Sequence, residues 1–246
     1  MLIYNRTLET SGDFLDWVRN SVERSIDYSK TVIIAMDTWN DTSNLDGKLT
    51  NLNNFLTTMR SNGAVVCFSP YGAEEIYKSH PCRLRVKEAL STTSNFNMPS
   101  YTNLKNVERP VKVPKNQGKT TDSWFTIFGS KLNRSTTSTD YSINSALTID
   151  EDNDIIAWSI KDVLIYFYSL DRTIENVFFC GKHLNWCILN RPLGMEEWKR
   201  YGFQYLIVKG DSVVSTNDPR SPPYASQEEM DNLHLRYIES YWGYST

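Results

Sequence analysis

The sequence predicts an α/β protein, a three-layer α/β/α sandwich around a parallel sheet of five or six strands. Two observations carry this. Short apolar runs of strand length alternate along the chain with longer segments whose apolar residues recur at helical spacing, and strands joined through helices run parallel with both faces covered. The stretch 176–208 also contains a complete βαβ unit. In it, Val177-Phe178-Phe179-Cys180 ends at Gly181, an amphipathic pattern runs from about Cys187 to Tyr201, and Tyr205-Leu206-Ile207-Val208 follows. With 246 residues and 40% hydrophobic content, the chain suffices for one good core, so one domain over 1–246 is expected, with a long insertion at about 91–141.

In order, Gly12 to Arg24 places Phe14, Leu15, Val18 and Val22 at helical spacing and reads as a leading helix. Thr31 to Met36 is a buried-strand run that stops at Asp37. Leu49 to Arg60 puts Leu49, Leu52, Phe55, Leu56 and Met59 on one helical face, and Asn62-Gly63 ends it. Ala64 to Ser69 is the next strand. Ala73 to Leu90 is interrupted by His80-Pro81 and reads as two helical pieces. The segment 91–141 is rich in Ser, Thr, Asn and Lys, with Trp124 to Phe128 as its one packed element; a loop of this length is often functional. Ala146 to Ile149 and Ile155 to Trp158 read as strands, Val163 to Asp171 as a helix, and Gln227 to Trp242 as the closing helix.

Composition narrows the function classes. A net charge of −3 with no long basic face argues against nucleic acid as a partner. No apolar run reaches membrane-spanning length. Cys67, Cys82, Cys180 and Cys187 lack paired spacing, and Cys67 and Cys180 lie inside apolar runs, as reduced thiols of a cytoplasmic protein would. His80, His183 and His234 have no ligand spacing to one another, so no metal site is expected. Gly118-Lys119-Thr120 lacks the strand and the first glycine of a phosphate loop. The mild basic excess at Lys105, Arg109, Lys112, Lys115, Lys119, Lys131 and Arg134 is what solvated loop surface usually shows, and it could instead attract an anionic substrate or an acidic partner.

Cys187 falls where a strand gives way to a helix, the place where ligands bind in open α/β sheets. Unpaired N–H groups of a first helical turn would lower its pKa and make it a nucleophile. Against this stands the commoner role of a free cysteine as a small buried hydrophobe. Asp37, at the end of the first strand run, could serve as general base for a thiol or be a solvated strand-end carboxylate.

The run from Gly181 to Gly194, GKHLNWCILNRPLG, resembles the nucleophile segment of the isochorismatase-like cysteine hydrolases, and VIIAMDTWN resembles their first strand with its base Asp. Pro192 to Met195 and Tyr237 to Trp242 add to the likeness, which hardly touches 91–141. The resemblance implies an isochorismatase-like, Rossmann-like topology and a hydrolase of a small amide, ester or enol-ether-like substrate. In that reading Cys187 is the nucleophile and Asp37 the base, Trp39, His183 and Trp186 meet the substrate, and N–H groups around Trp186 and Cys187 form an oxyanion site. His183 could equally cap the turn. No organic cofactor is implied, and a homo-oligomer is in keeping with the superfamily. The family's third catalytic residue is a lysine some thirty to forty residues before the cysteine, and 144–157 contains none; Lys119 and Lys131 lie too far upstream and Lys161 falls on the following helix. Either another residue, such as Tyr141 or Asn144, stands in, or the chain is a catalytically silent binding or assembly module. Leu184, where the family often has Thr, favours the silent reading.

Overall fold

The computed structural model describes residues 1–11, 14–40, 45–102, 141–215 and 226–246. Trp124 to Phe128, the basic residues between 105 and 134, Gly118-Lys119-Thr120 and the hairpin link Gly12-Asp13 lie outside these. Among the described residues one sheet contains eight strands. They are β1 (Leu2–Ser11), β2 (Phe14–Glu23), β3 (Thr31–Met36), β4 (Val65–Ser69), β5 (Ile155–Ile156), β6 (Asn176–Lys182), β7 (Tyr205–Val214) and β8 (Tyr244–Ser245), in the order β2-β1-β8-β7-β6-β3-β4-β5. From β8 to β5 every neighbouring pair is parallel, which gives the six-stranded parallel sheet expected; β1 and β2 extend it as an antiparallel hairpin.

Alternation along the central strands builds both layers of core. In β3, Val32, Ile34 and Met36 enter one cluster while Ile33 and Ala35 enter the other; in β6, Val177 and Phe179 part from Phe178 and Cys180 in the same way. The first cluster is covered by α3 (Pro81–Thr92), α4 (Ile160–Ser169), α5 (Cys187–Asn190), α6 (Met195–Arg200) and α7 (Gln227–Tyr241). On the second face α1 (Leu49–Ser61) buries Leu52, Phe55, Leu56 and Met59, each contributing about 1.5–3 kcal/mol relative to exposure. A short helix α2 (Glu74–Tyr77) precedes the Pro81 restart, so the His80-Pro81 break separates two helices as the sequence indicates. Ser159 caps α4, and a reciprocal Ser226–Glu229 capping box opens α7.

Three expectations are corrected. Residues 14–23 form β2, not part of a helix. Their spacing fits a helical stripe, yet β2 pairs with β1, the strand immediately before it, over ten residues from Leu2↔Glu23 to Ser11↔Phe14, and the spacing of 14–23 taken alone does not reveal that pairing. Arg6 and Arg19 from the two strands both grip the buried Glu239 carboxylate of α7, each at 2.9 Å, and so dock the hairpin. Ala146 to Ile149 is not a strand, because the Asn144 side chain accepts the Ala146 N–H at 2.9 Å and its carbonyl accepts the Leu147 N–H at 2.9 Å, turning the chain. The helix after Cys187 is one turn long: Pro192 excludes Arg191 from helical torsions, Arg191 is extended, and helix resumes only at Met195.

Gly181 sets how closely β6 approaches β3. It has φ +96°, and a Cβ there would lie 2.1 Å from the Met36 carbonyl oxygen, beside Asp37. Gly63 has a similar φ of +98° at the end of α1 but faces open space. Gly181→Ala is therefore expected to cost about 3 kcal/mol or more in urea unfolding, against about 1 kcal/mol for Gly63→Ala. Equal costs would show that the β3–β6 approach is not tight.

Candidate active site

The chain runs from β3 to β4 and β5 on one side, then returns through β6 on the other, so the carboxyl ends of β3 and β6 flank a topological switch point. Asp37 leaves β3 there and Cys187 follows β6. The structure brings these two predicted residues together. Asp37 is fully buried, with the left-handed φ of +44° that a non-glycine residue keeps only where its surroundings enforce it. Its Oδ1 accepts the Tyr71 N–H at 2.9 Å, and the Cys187 thiol hydrogen-bonds its carboxylate.

The remaining partner is Arg191. Its Nη2 donates to Asp37 Oδ2 at 2.6 Å and lies 3.5 Å from Cys187 Sγ, and its guanidinium stacks 3.7 Å from the centroid of the Tyr71 ring. Cys187 and Arg191 are four residues apart on one helical turn, so their side chains share a face, and the extended Arg191 backbone before Pro192 closes that turn. Gly194 permits the tight return, since a Cβ there would lie 2.8 Å from the Arg191 nitrogen. A search for lysine upstream of the cysteine misses this cation; the Cys-x-x-x-Arg spacing was the signal that could have found it. Lys182 is also buried at this edge, with Nζ 5.1 Å from the centroid of the Trp39 ring, and its charge too favours the ionised Asp37.

Tyr141 and Asn144 sit beside the site without bonding Asp37 or Cys187 among the described residues. Tyr141 packs edge-on to Trp39 at 5.3 Å, and the Asn144 N–H donates to the Thr38 carbonyl at 2.7 Å. Trp39 is half-buried beside the site, and among the described residues its indole N–H and the Thr38 hydroxyl are buried donors without a partner. His183 and Trp186 are half-buried and meet edge-on at 5.8 Å. The Trp186 N–H is committed to the His183 carbonyl at 3.0 Å, which corrects its expected place in an oxyanion site. The Cys187 N–H meets no acceptor among the described residues, and the His183 N–H is directed at the Cys187 sulfur.

Electrostatics also correct the expected thiolate. Burial, then the Asp37 charge, push the Cys187 thiol up to about 12, outweighing the opposing Arg191 charge and the His183 N–H. One helical turn supplies too little dipole to reverse this. Asp37 is raised as well, by burial above all, against Arg191, the Cys187 thiol and the Tyr71 N–H. Both groups of the pair are thus raised, the thiol by burial and the Asp37 charge, and Asp37 by burial. Among the described residues no three His, Cys, Asp or Glu side chains form a group that could hold a metal ion, and no helix is long and apolar enough to cross a membrane. His234, one of the three histidines, is buried against the Ser215 hydroxyl at 2.9 Å, and burial lowers its pKa to about 4.

The fold is isochorismatase-like. It is similar to a cysteine hydrolase from Pseudomonas syringae pv. phaseolicola 1448A, at 14% identity over 92% of both chains with a TM-score of 0.52. It is also similar to an isochorismatase from Pseudomonas putida KT2440, at 8% identity over 92% of this chain and 91% of that one with a TM-score of 0.51. No family model and no curated protein matches the sequence. The shared feature at these identities is the fold.

Because Asp37 holds the thiol proton, Asp37→Asn is expected to lower the Cys187 pKa from about 12, while Arg191→Met raises it. Alkylation rate against pH, read by peptide mass spectrometry with buried Cys180 as the internal reference, measures both. An Asp37→Asn variant whose Cys187 titrates higher would overturn the assigned electrostatics.

Proposed function

We propose that the protein is a cysteine hydrolase of the isochorismatase-like type, acting on a small molecule with an amide, ester or enol-ether-like bond. One observation carries this reading: a guanidinium, Arg191, lies between a buried carboxylate and a buried thiol, touching both. It fills the role of the lysine missing from the expected window. The Arg191 charge favours the ionised form of Asp37 against burial, and an ionised Asp37 can take the thiol proton.

On an acyl substrate, Cys187 Sγ attacks the carbonyl carbon as its proton passes to Asp37. The Cys187 N–H donates to the developing oxyanion. The tetrahedral adduct collapses, Asp37 returns the proton to the leaving amine or alcohol, and a thioester remains on Cys187. Water, deprotonated by Asp37, then attacks the thioester, and the departing sulfur recovers the proton. The high thiol pKa does not block this sequence, because proton transfer and attack proceed together on a carboxylate whose basicity burial has raised. No step calls for an organic cofactor. Trp39, with its unpartnered indole N–H, and the His183–Trp186 pair would line the substrate.

The other reading, a catalytically silent binding or assembly module, is favoured by the thiol pKa of about 12 and by arginine in place of lysine. A panel of small amides, esters and enol ethers, followed by mass spectrometry of products and of acylated Cys187, separates the two. Hydrolysis of one class is expected, with kcat/KM reduced about 1,000-fold in Cys187→Ser and in Asp37→Asn. No turnover across the panel would favour the silent reading, and turnover that survives Cys187→Ser would overturn Cys187 as the nucleophile.

A further inference from the structure

The hairpin leaves β2 at the edge of the sheet, and its outer side has the makings of an interface. Met1 and Arg24 exchange both backbone hydrogen bonds at 2.9 Å, which fixes the phase of the ladder. By antiparallel alternation, Asp16, Val18, Asn20 and Val22 bond inward to β1, while the N–H and C=O groups of Trp17, Arg19, Ser21 and Glu23 point to the open edge. Among the described residues the Trp17 N–H meets only the adjacent Asp16 side chain, at 2.7 Å, and the Trp17 carbonyl meets Arg6, at 3.4 Å. Edge strands of monomers are commonly guarded by charged side chains, lysine above all, and by proline, a bulge or shortness. β2 carries Asp16, Arg19 and Glu23, but it runs for ten residues in unbroken register with β1 and has no proline and no lysine. On its face away from α7, Val18 and Val22 are exposed at 39% and 42%.

We propose that β2 pairs antiparallel with β2 of a second copy of this chain, joining the two sheets across a two-fold axis at Asn20. That register sets Val18 opposite Val22 of the second copy, so the four exposed valines cover one another. It sets Asp16 opposite Arg24, whose Nε is held by Asn176 at 3.0 Å. Trp17 and Arg19 fall opposite Glu23 and Ser21, and these outward-facing pairs supply about eight backbone hydrogen bonds, two for each pair. Neighbouring registers that keep the hydrogen-bond phase lose this match. Moving the axis to Arg19 opposes Arg19 to itself and Val18 to Asn20; moving it to Ser21 opposes Val18 to Arg24 and Val22 to Asn20. The two-fold operation makes the patch self-complementary, as a closed dimer requires.

Sedimentation of the full chain tests for the dimer, and one cysteine variant tests the register. Asn20→Cys is expected to form a covalent dimer under mild oxidation, because residue 20 faces itself across a non-hydrogen-bonded pair, about 4.5 Å between Cα atoms. Ser21→Cys, opposite Arg19, should not cross-link. The four native cysteines are all buried. The double variant Val18→Lys, Val22→Lys should sediment as a monomer with an unchanged circular dichroism spectrum. A wild-type chain that is monomeric at 100 µM by order of magnitude, about the range of weak specific pairing, would overturn the proposal. So would a dimer that survives the lysine pair or fails to cross-link through Asn20→Cys.

Discussion

The site is organised by the ion pair between Asp37 and Arg191. Two charges taken out of water each cost several kcal/mol, and only close, hydrogen-bonded geometry offsets that. Here the geometry is close: 2.6 Å between Nη2 and Oδ2, with the second carboxylate oxygen held by the Tyr71 N–H. The partners are 154 residues apart in sequence, so the pair cannot form until the first strand of the parallel sheet and the turn after β6 have come together. Gly181 allows that approach, and Pro192 ends the one-turn helix where the guanidinium can reach the carboxylate. The same pair acts on the thiol's partner, since the Arg191 charge opposes the rise in pKa that burial gives Asp37.

Where both neighbours of a segment are apolar and local, the sequence declared its structure. β3, β4 and β6 are continuous apolar runs because both faces are covered, and α1 shows its stripe because one face is not. The hairpin was hidden because Phe14, Leu15, Val18 and Val22 satisfy a helical stripe, which masks the pairing with the preceding strand, and because Glu239, which docks it, is remote in sequence. Ala146 to Ile149 looks like a strand by composition, but one side-chain oxygen, that of Asn144, redirects it.

The site divides in the same way. Asp37 and Cys187 were legible because each stands at the end of a strand run, beside residues that resemble a known segment. Arg191 was not, because its role depends on a helix that stops after one turn and on a carboxylate far away in the chain. The pKa direction expected for Cys187 is reversed for a related reason. A helix start favours the thiolate, but the sequence does not disclose that the thiol is buried against an anion. Position singled out the two residues that the structure brings together, and packing raises the pKa of both.

The most direct test of this account is a double-mutant cycle on stability, with Asp37→Asn, Arg191→Met and the two combined, followed by urea unfolding. Each single change strands one buried polar or charged group, so each should cost about 3–5 kcal/mol. The double variant should cost less than their sum by at least about 1 kcal/mol, because neither charge is then left alone. Strict additivity of the two costs would contradict the central role given to the Asp37–Arg191 pair.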